Sequence, residues 1–241
     1  MDHRVSVALD RRAYLNRCDI DGLGSLACGS AGSDVTVTPL SVDYALRGST
    51  PIAWSLTLTA TGNIKTGGAN ATAADFENQR PNAKQSYGSF RVVSTVQSDL
   101  ADWQLRGRLS GQWTRQALVA GEQFGLGGAV SVRGYEEREL VGDRGAAASF
   151  ELGTPEFLTR ATADEPSLRA FAFADGGLVS NNYSAECAAG RTRCTLASAG
   201  LGLSFERQRL QARLAAAVAL KEGALTKKND TRAHFSANLS F

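Results

Sequence analysis

Much of what a soluble enzyme relies on is scarce in this 241-residue sequence. It holds two histidines, His3 and His234, at opposite ends of the chain, with one methionine and five prolines. No Gly-x-Ser-x-Gly elbow and no His-Glu-x-x-His pair is present, so hydrolase and zinc-protease chemistry lack their signatures. His234 lies on a polar strand face, where a structural role suits it better than catalysis. Charge of one sign is also missing. The 26 basic and 24 acidic residues leave a net +2, without the basic excess that a nucleic-acid partner requires. No run of 18 or more apolar residues occurs, which excludes a transmembrane helix. It does not exclude a transmembrane barrel, whose strands alternate lipid-facing and lumen-facing residues and keep the mean hydropathy low. Helical periodicity is absent as well, and no helix of any length is expected. The amino-terminal "MDHRVSVALDRR" has none of the regions of a signal peptide. An exported protein of this kind is therefore expected to carry residues upstream of Met1.

What the sequence does have is period-two alternation, about ten times over. In the last segment Ala233, Phe235, Ala237, Leu239 and Phe241 point one way, and Arg232, His234, Ser236, Asn238 and Ser240 the other. Leu210 to Leu220, Trp54 to Ala60 and Trp103 to Trp113 alternate as clearly. Weaker versions fall at 3–14, 35–48, 87–98, 146–157, 167–178 and 195–207. The links alternate too. Short ones fall at 49–52, 99–102, 159–166 and 208–209, and long ones at 15–34, 66–86, 116–145, 181–194 and 222–230. Tight turns at one end and large loops at the other are the pattern of outer-membrane barrels. A β-sandwich alternates in the same way but has little reason to sort its loops by length. The four cysteines form two local pairs, Cys18 with Cys28 and Cys187 with Cys194, each within one long loop. Loop-local disulfides fit an oxidising, extracytoplasmic setting, and two pairs of free thiols are the alternative. No Cys-x-x-Cys or nearby histidine supports a metal site, and no cofactor is expected.

One loop is more specific than the rest. Phe124 to Gly145 reads Phe-x-x-Gly-Gly-x-x-Ser-Val-Arg-Gly-Tyr and then Gly-Asp-x-Gly, placing Gly127, Gly128, Ser131, Val132, Arg133, Gly134, Tyr135, Gly142, Asp143 and Gly145. The glycines are not a phosphate loop, since no Lys-Ser/Thr follows them. This stretch resembles the sixth extracellular loop of two-partner secretion transporters, the haemolysin secretion/activation (ShlB/FhaC/HecB) family. "RAFAFADGG", with Asp175, resembles the Phe-x-Asp-x-Gly strand of the same superfamily. The final strand, with Phe235, Leu239 and Phe241, is similar to the signal by which outer-membrane barrels are recognised for insertion.

The resemblance implies an all-β, antiparallel outer-membrane barrel. In it the ten segments of 1–241 correspond to strands seven to sixteen of a sixteen-stranded barrel, and the signal peptide, POTRA domains and first six strands are absent. It implies a non-enzymatic transporter of a partner exoprotein such as a haemolysin or adhesin. Outer-membrane lipid and the barrel assembly machinery are the other implied partners. An assembly barrel of the same superfamily is the alternative, although Gly142-Asp143-x-Gly145 favours secretion. A passive porin or an outer-membrane enzyme would need neither the arginine loop nor an acidic partner for it.

Physical chemistry then bears on Arg133. An arginine entering a confined lumen has to be paired, because an unpaired charge away from water is costly. On the strand 167–178 Arg169, Phe171, Phe173 and Asp175 share a face, opposite Leu168, Ala170, Ala172 and Ala174. That parity makes Asp175 the expected partner, with Glu151, which shares the inward face with Ser149, as second choice. An arginine exposed on a mobile loop is the alternative.

Overall fold

The computed structural model describes residues 1–16, 33–158 and 165–240. Its frame is one antiparallel sheet of ten strands in an up-and-down path. In chain order the strands are β1 (Asp2–Leu9), β2 (Arg12–Tyr14), β3 (Val35–Val37), β4 (Pro39–Gly48), β5 (Ala53–Asn63), β6 (Gly88–Leu100) and β7 (Trp103–Thr114). They continue with β8 (Phe124–Leu126), β9 (Leu140–Gly142), β10 (Arg144–Gly153), β11 (Ser167–Ser180), β12 (Arg193–Arg207), β13 (Leu210–Ala219) and β14 (Thr231–Leu239). The large sheet runs β1-β4-β5-β6-β7-β10-β11-β12-β13-β14, while β2 pairs with β3 and β8 with β9 in two separate ribbons. Five strands of the large sheet thus precede the 115–143 loop and five follow it. Strands β1 and β14 are its two edges, and no strand pairing closes one onto the other among the described residues.

Alternation decides which face each side chain takes. Phe90, Leu109, Trp113, Phe150, Leu203 and Leu214 form part of an outward apolar band that is bare to solvent in the isolated chain. A face of this kind suits hydrocarbon. The inner face is polar or small. Residues from both edge regions, Asp2 of β1 and Ser236 of β14, line one open cavity of about 760 Å³, so the sheet is curled around its inner side.

Loop lengths sort by end. The turns at 101–102 and 208–209 are two residues long, while 64–87, 115–143, 181–192 and 220–230 make up the other end. β10 ends at Gly153 rather than at 157, although the Thr154 and Phe157 N–H groups still donate to the Ala170 and Leu168 carbonyls of β11. Three further expectations need correcting. The segment 3–14 is not one strand, since Arg12–Tyr14 leaves the large sheet to pair with β3. The segment 35–48 likewise breaks at Thr38. A helix is also present. Within 64–87, α1 (Ala73–Gln79) is started by a Thr72–Asp75 capping box and buries Phe76. Seven residues with a single buried apolar position leave too little periodicity to read, although the Thr-x-x-Asp cap is visible in the sequence.

The long-loop end has a core of its own. Val35, Val37, Phe76, Ala83, Tyr87, Leu118 and Val119 pack together there. Cys187 and Cys194 are joined by a disulfide at this end. Cys18 and Cys28 lie outside the described residues, as does Phe241.

Candidate functional site

The 115–143 loop does not stay outside the sheet. Its tip lines the inner cavity through Ala129, Val130, Ser131 and Arg133. A tight reversal starts it inward. Gly127 and Gly128 hold φ of +109° and +97°, values that side-chain-bearing residues rarely adopt. The Gly128 N–H donates to the Val132 carbonyl at 3.0 Å. Ser131 fastens the same turn, its hydroxyl donating to the Gly127 carbonyl at 2.9 Å.

Arg133, 8% exposed, is then presented to the inner faces of β10 and β11. Its Nε donates to Asp175 Oδ2 at 2.7 Å and its Nη2 to Asp175 Oδ1 at 2.8 Å, a two-pronged pair. The Arg133 backbone N–H reaches the same carboxylate at 3.1 Å. Nη1 donates to Glu151 Oε1 at 2.6 Å, and Nη2 to the Ser149 hydroxyl at 3.0 Å. Arg213 of β13 occupies the other Glu151 oxygen at 2.7 Å. Two guanidinium groups and two carboxylates therefore balance, which is what a weakly solvated charge cluster needs.

The floor beneath them is aromatic. The Arg133 guanidinium lies 3.5 Å from the centre of the Phe173 ring, and that of Arg213 lies 4.5 Å from the centre of Phe171. Both rings lie flat across β12 because Gly200 and Gly202 stand opposite them. A Cβ at 200 would come 2.5 Å from Phe173 Cζ, and one at 202 would strike Phe171. The "GLGL" of β12 is thus the reason both cations have a surface to stack on.

The rest of the motif anchors the loop's return. Gly134 donates its N–H to His234 Nε2 at 2.9 Å, which gives His234 a structural partner. A Cβ at Gly134 would sit 3.2 Å from Ala217 Cβ, so small residues on β13 make the room. Val132 and Tyr135 are fully buried with Leu126, Leu140, Val179 and Leu196. The Tyr135 hydroxyl lies 2.8 Å from the carbonyls of both Ala197 and Lys221, tying the loop to the ends of β12 and β13.

Asp143 works elsewhere, as a junction of three loops. It is fully buried and takes Arg80 Nη1 at 2.5 Å and Nη2 at 3.0 Å. It also accepts the Leu118 N–H at 2.9 Å and the Asn182 N–H at 2.8 Å. Its neighbour Gly142 packs where a Cβ would lie 2.9 Å from Val179 Cβ and Ser180 O. At Gly145 a Cβ would collide with the Phe124 ring. Phe235 and Leu239 face outward and are exposed.

A second acidic clasp was not evident from the sequence. Half-buried Glu139 accepts the Thr226 hydroxyl at 2.5 Å, the Leu225 and Thr226 N–H groups at 2.9 Å, and the Glu136 N–H at 3.0 Å. Burial pushes its carboxyl up, but the bonds from Thr226, Leu225 and Glu136 outweigh it and hold the group below the ordinary 4.5. A depressed carboxyl stabilises the folded loop at pH values above 4.5 and loses that contribution as pH falls below it. A nitroxide at Lys228 should therefore become more mobile as pH drops from 7 to 3, and Glu139→Gln should be mobile at both. An unchanged spectrum for Glu139→Gln would remove the clasp.

A curled antiparallel sheet with an apolar outside, a polar inside and a loop pinned within it defines an outer-membrane β-strand protein rather than a sandwich. Residues 34–205 match the sequence profile of the family described as haemolysin secretion/activation protein ShlB/FhaC/HecB, and the chain belongs to that family. CdiB from Escherichia coli superposes with a TM-score of 0.73 at 18% identity, over 100% of this chain and 42% of that one. CdiB from Acinetobacter baumannii gives 0.61 at 18% identity, over 99% of this chain and 39% of that one. At such identity the likeness concerns fold alone, and the chain spans about two fifths of the length of these proteins. A comparison with curated proteins yields no match. The family and the β-stranded fold place the chain in the outer membrane.

Proposed function

We propose that the chain forms the last ten strands of a sixteen-stranded outer-membrane barrel that exports a partner exoprotein, such as a haemolysin or adhesin, without enzymatic chemistry. The observation that carries this reading is the Arg133 loop folded against the inner wall and held by Asp175 and Glu151. A loop pinned inside the lumen by paired charges gives a transporter an element that can take two discrete positions, docked and released. Five large-sheet strands on each side of that loop support the strand-seven-to-sixteen assignment. An open sheet edge in lipid leaves unpaired N–H and C=O groups, so β1 requires a further strand beside it. Lipid meets the outward apolar band, and the assembly machinery meets the β14 face carrying Phe235 and Leu239.

Co-expression with a candidate exoprotein tests the reading. The exoprotein should reach the surface or medium only when the transporter is present, while liposomes carrying the transporter stay nearly impermeable to sugars. Retention of the exoprotein in the periplasm together with free sugar permeation would replace the transporter by a porin.

A further inference from the structure

The inner wall next to the latch carries cations that the latch does not use. One row of directly opposed inward residues crosses the sheet as Asp2, Arg47, Ser55, Thr95, Arg108, Ser149 and Asp175. The next row brings Gln97, Arg106 and Glu151 together. Arg133 and Arg213 take the hydrogen bonds of Asp175 and Glu151. Arg47 faces Asp2 and Arg106 faces Glu151 across neighbouring strands, yet Arg47, Arg106 and Arg108 make no hydrogen bond or close ion pair among the described residues. Arg106 Nε is buried without a partner. A desolvated guanidinium N–H left unpaired is costly, and burying one is tolerated where an acceptor arrives. Between the arginines the wall is uncharged, with the Ser55 and Thr95 hydroxyls 2.7 Å apart and bonded to each other. All three arginines line the same cavity as the loop tip.

We infer that Arg47, Arg106 and Arg108 form a carboxylate-binding track for acidic side chains of an extended polypeptide passing the latch, an inference that rests on the transport reading. Arg108 and Arg47 stand three strands apart, about 14 Å at the usual strand spacing. An extended chain crosses that distance in roughly four residues. Guanidinium forks match carboxylates in two-pronged geometry, and an ammonium-bearing chain would be repelled by the same wall. Such a track holds acidic segments weakly and reversibly, because each contact stays partly solvated and is screened by salt.

Binding can be read without any secretion. Fluorescein-labelled octaglutamate, octaglutamine and octalysine would be titrated by anisotropy against the full-length transporter in neutral-lipid nanodiscs. Octaglutamate should bind tightest, weaken as salt rises, and lose about tenfold in affinity in Arg106→Gln/Arg108→Gln. Arg47→Gln, at an exposed position that faces only the edge-strand Asp2 and makes no hydrogen bond, should weaken it without disturbing the fold, so the test survives if the double variant does not insert. Octaglutamate binding no tighter than octaglutamine, or undiminished in Arg47→Gln and in every variant that inserts, overturns the track. Failure of the transport reading would instead appear in the exoprotein assay alone, with octaglutamate still bound.

Discussion

Arg133→Ala and Asp175→Ala should each bring exoprotein export close to background, and the double variant should be little worse than either. Removing one partner of a buried, hydrogen-bonded charge pair costs about 3–5 kcal/mol, mostly through the charge left behind. Asp175 has no exposed side-chain surface and Arg133 only 10%, so solvent does little to screen that loss. Between the proposed docked and released positions of the loop, 3–5 kcal/mol shifts the ratio by roughly 10²–10³-fold or more. Two residues that act as one pair do not add, and the double variant therefore gains almost nothing. Arg133→Lys should also fail to restore export, because a point charge cannot meet Asp175 through two nitrogens while reaching Glu151 and Ser149. Surface abundance and heat-modifiable mobility of each variant separate a lost latch from a lost barrel. Additive effects of the two substitutions, or full export by Arg133→Lys, would remove the latch.

At the long-loop end the largest effect should come from Asp143→Asn. The change keeps the shape but removes the charge that faces Arg80, whose side chain is 14% exposed. It also weakens the acceptor for the Leu118 and Asn182 N–H groups. Three loops meet at that carboxylate, so about 3–5 kcal/mol of local stability is at stake. Where opening is fast relative to cleavage, proteolysis follows the open population. Trypsin added to intact cells should then cut the 64–87 loop roughly 10²–10³-fold faster in Asp143→Asn, with the strands still protected. Equal cleavage of variant and parent would mean that Asp143 does not hold the loops together.

Much of this protein was legible in its sequence because strands carry their instructions locally. Side chains alternate with a period of two whatever lies across the sheet, so Leu210 to Leu220 and Ala233 to Leu239 declare their faces without any knowledge of neighbours. The same parity puts Arg169, Phe171, Phe173 and Asp175 on one side of β11 and Glu151 with Ser149 on one side of β10. Gly127, Gly128 and Gly134 mark where the loop turns, since their positive φ suits little else. The short helix 73–79 and the departure of Arg12–Tyr14 from the first strand were not legible. Each is decided by packing in the small core around Phe76, Val35 and Val37 rather than by local pattern.

Parity points Asp175 and Glu151 at Arg133, but how the other inward residues meet was settled only by the tertiary structure. Parity gives a face but not a register. Glu151 could have met any cation on that face, and it is the alignment of β10 to β13 that brings Arg213 to its second oxygen. Asp143 has a recognisable motif around it, yet its partner Arg80 is 63 residues away in a loop whose position no periodicity predicts. Glu139 reaches Thr226 across 87 residues in the same way. Local pattern fixed the direction of each side chain because covalent geometry sets it one residue at a time. The pairing of Asp143 with Arg80, of Glu139 with Thr226 and of Glu151 with Arg213 had to wait for the fold, because such contacts depend on separation in space and the chain spends that separation in loops.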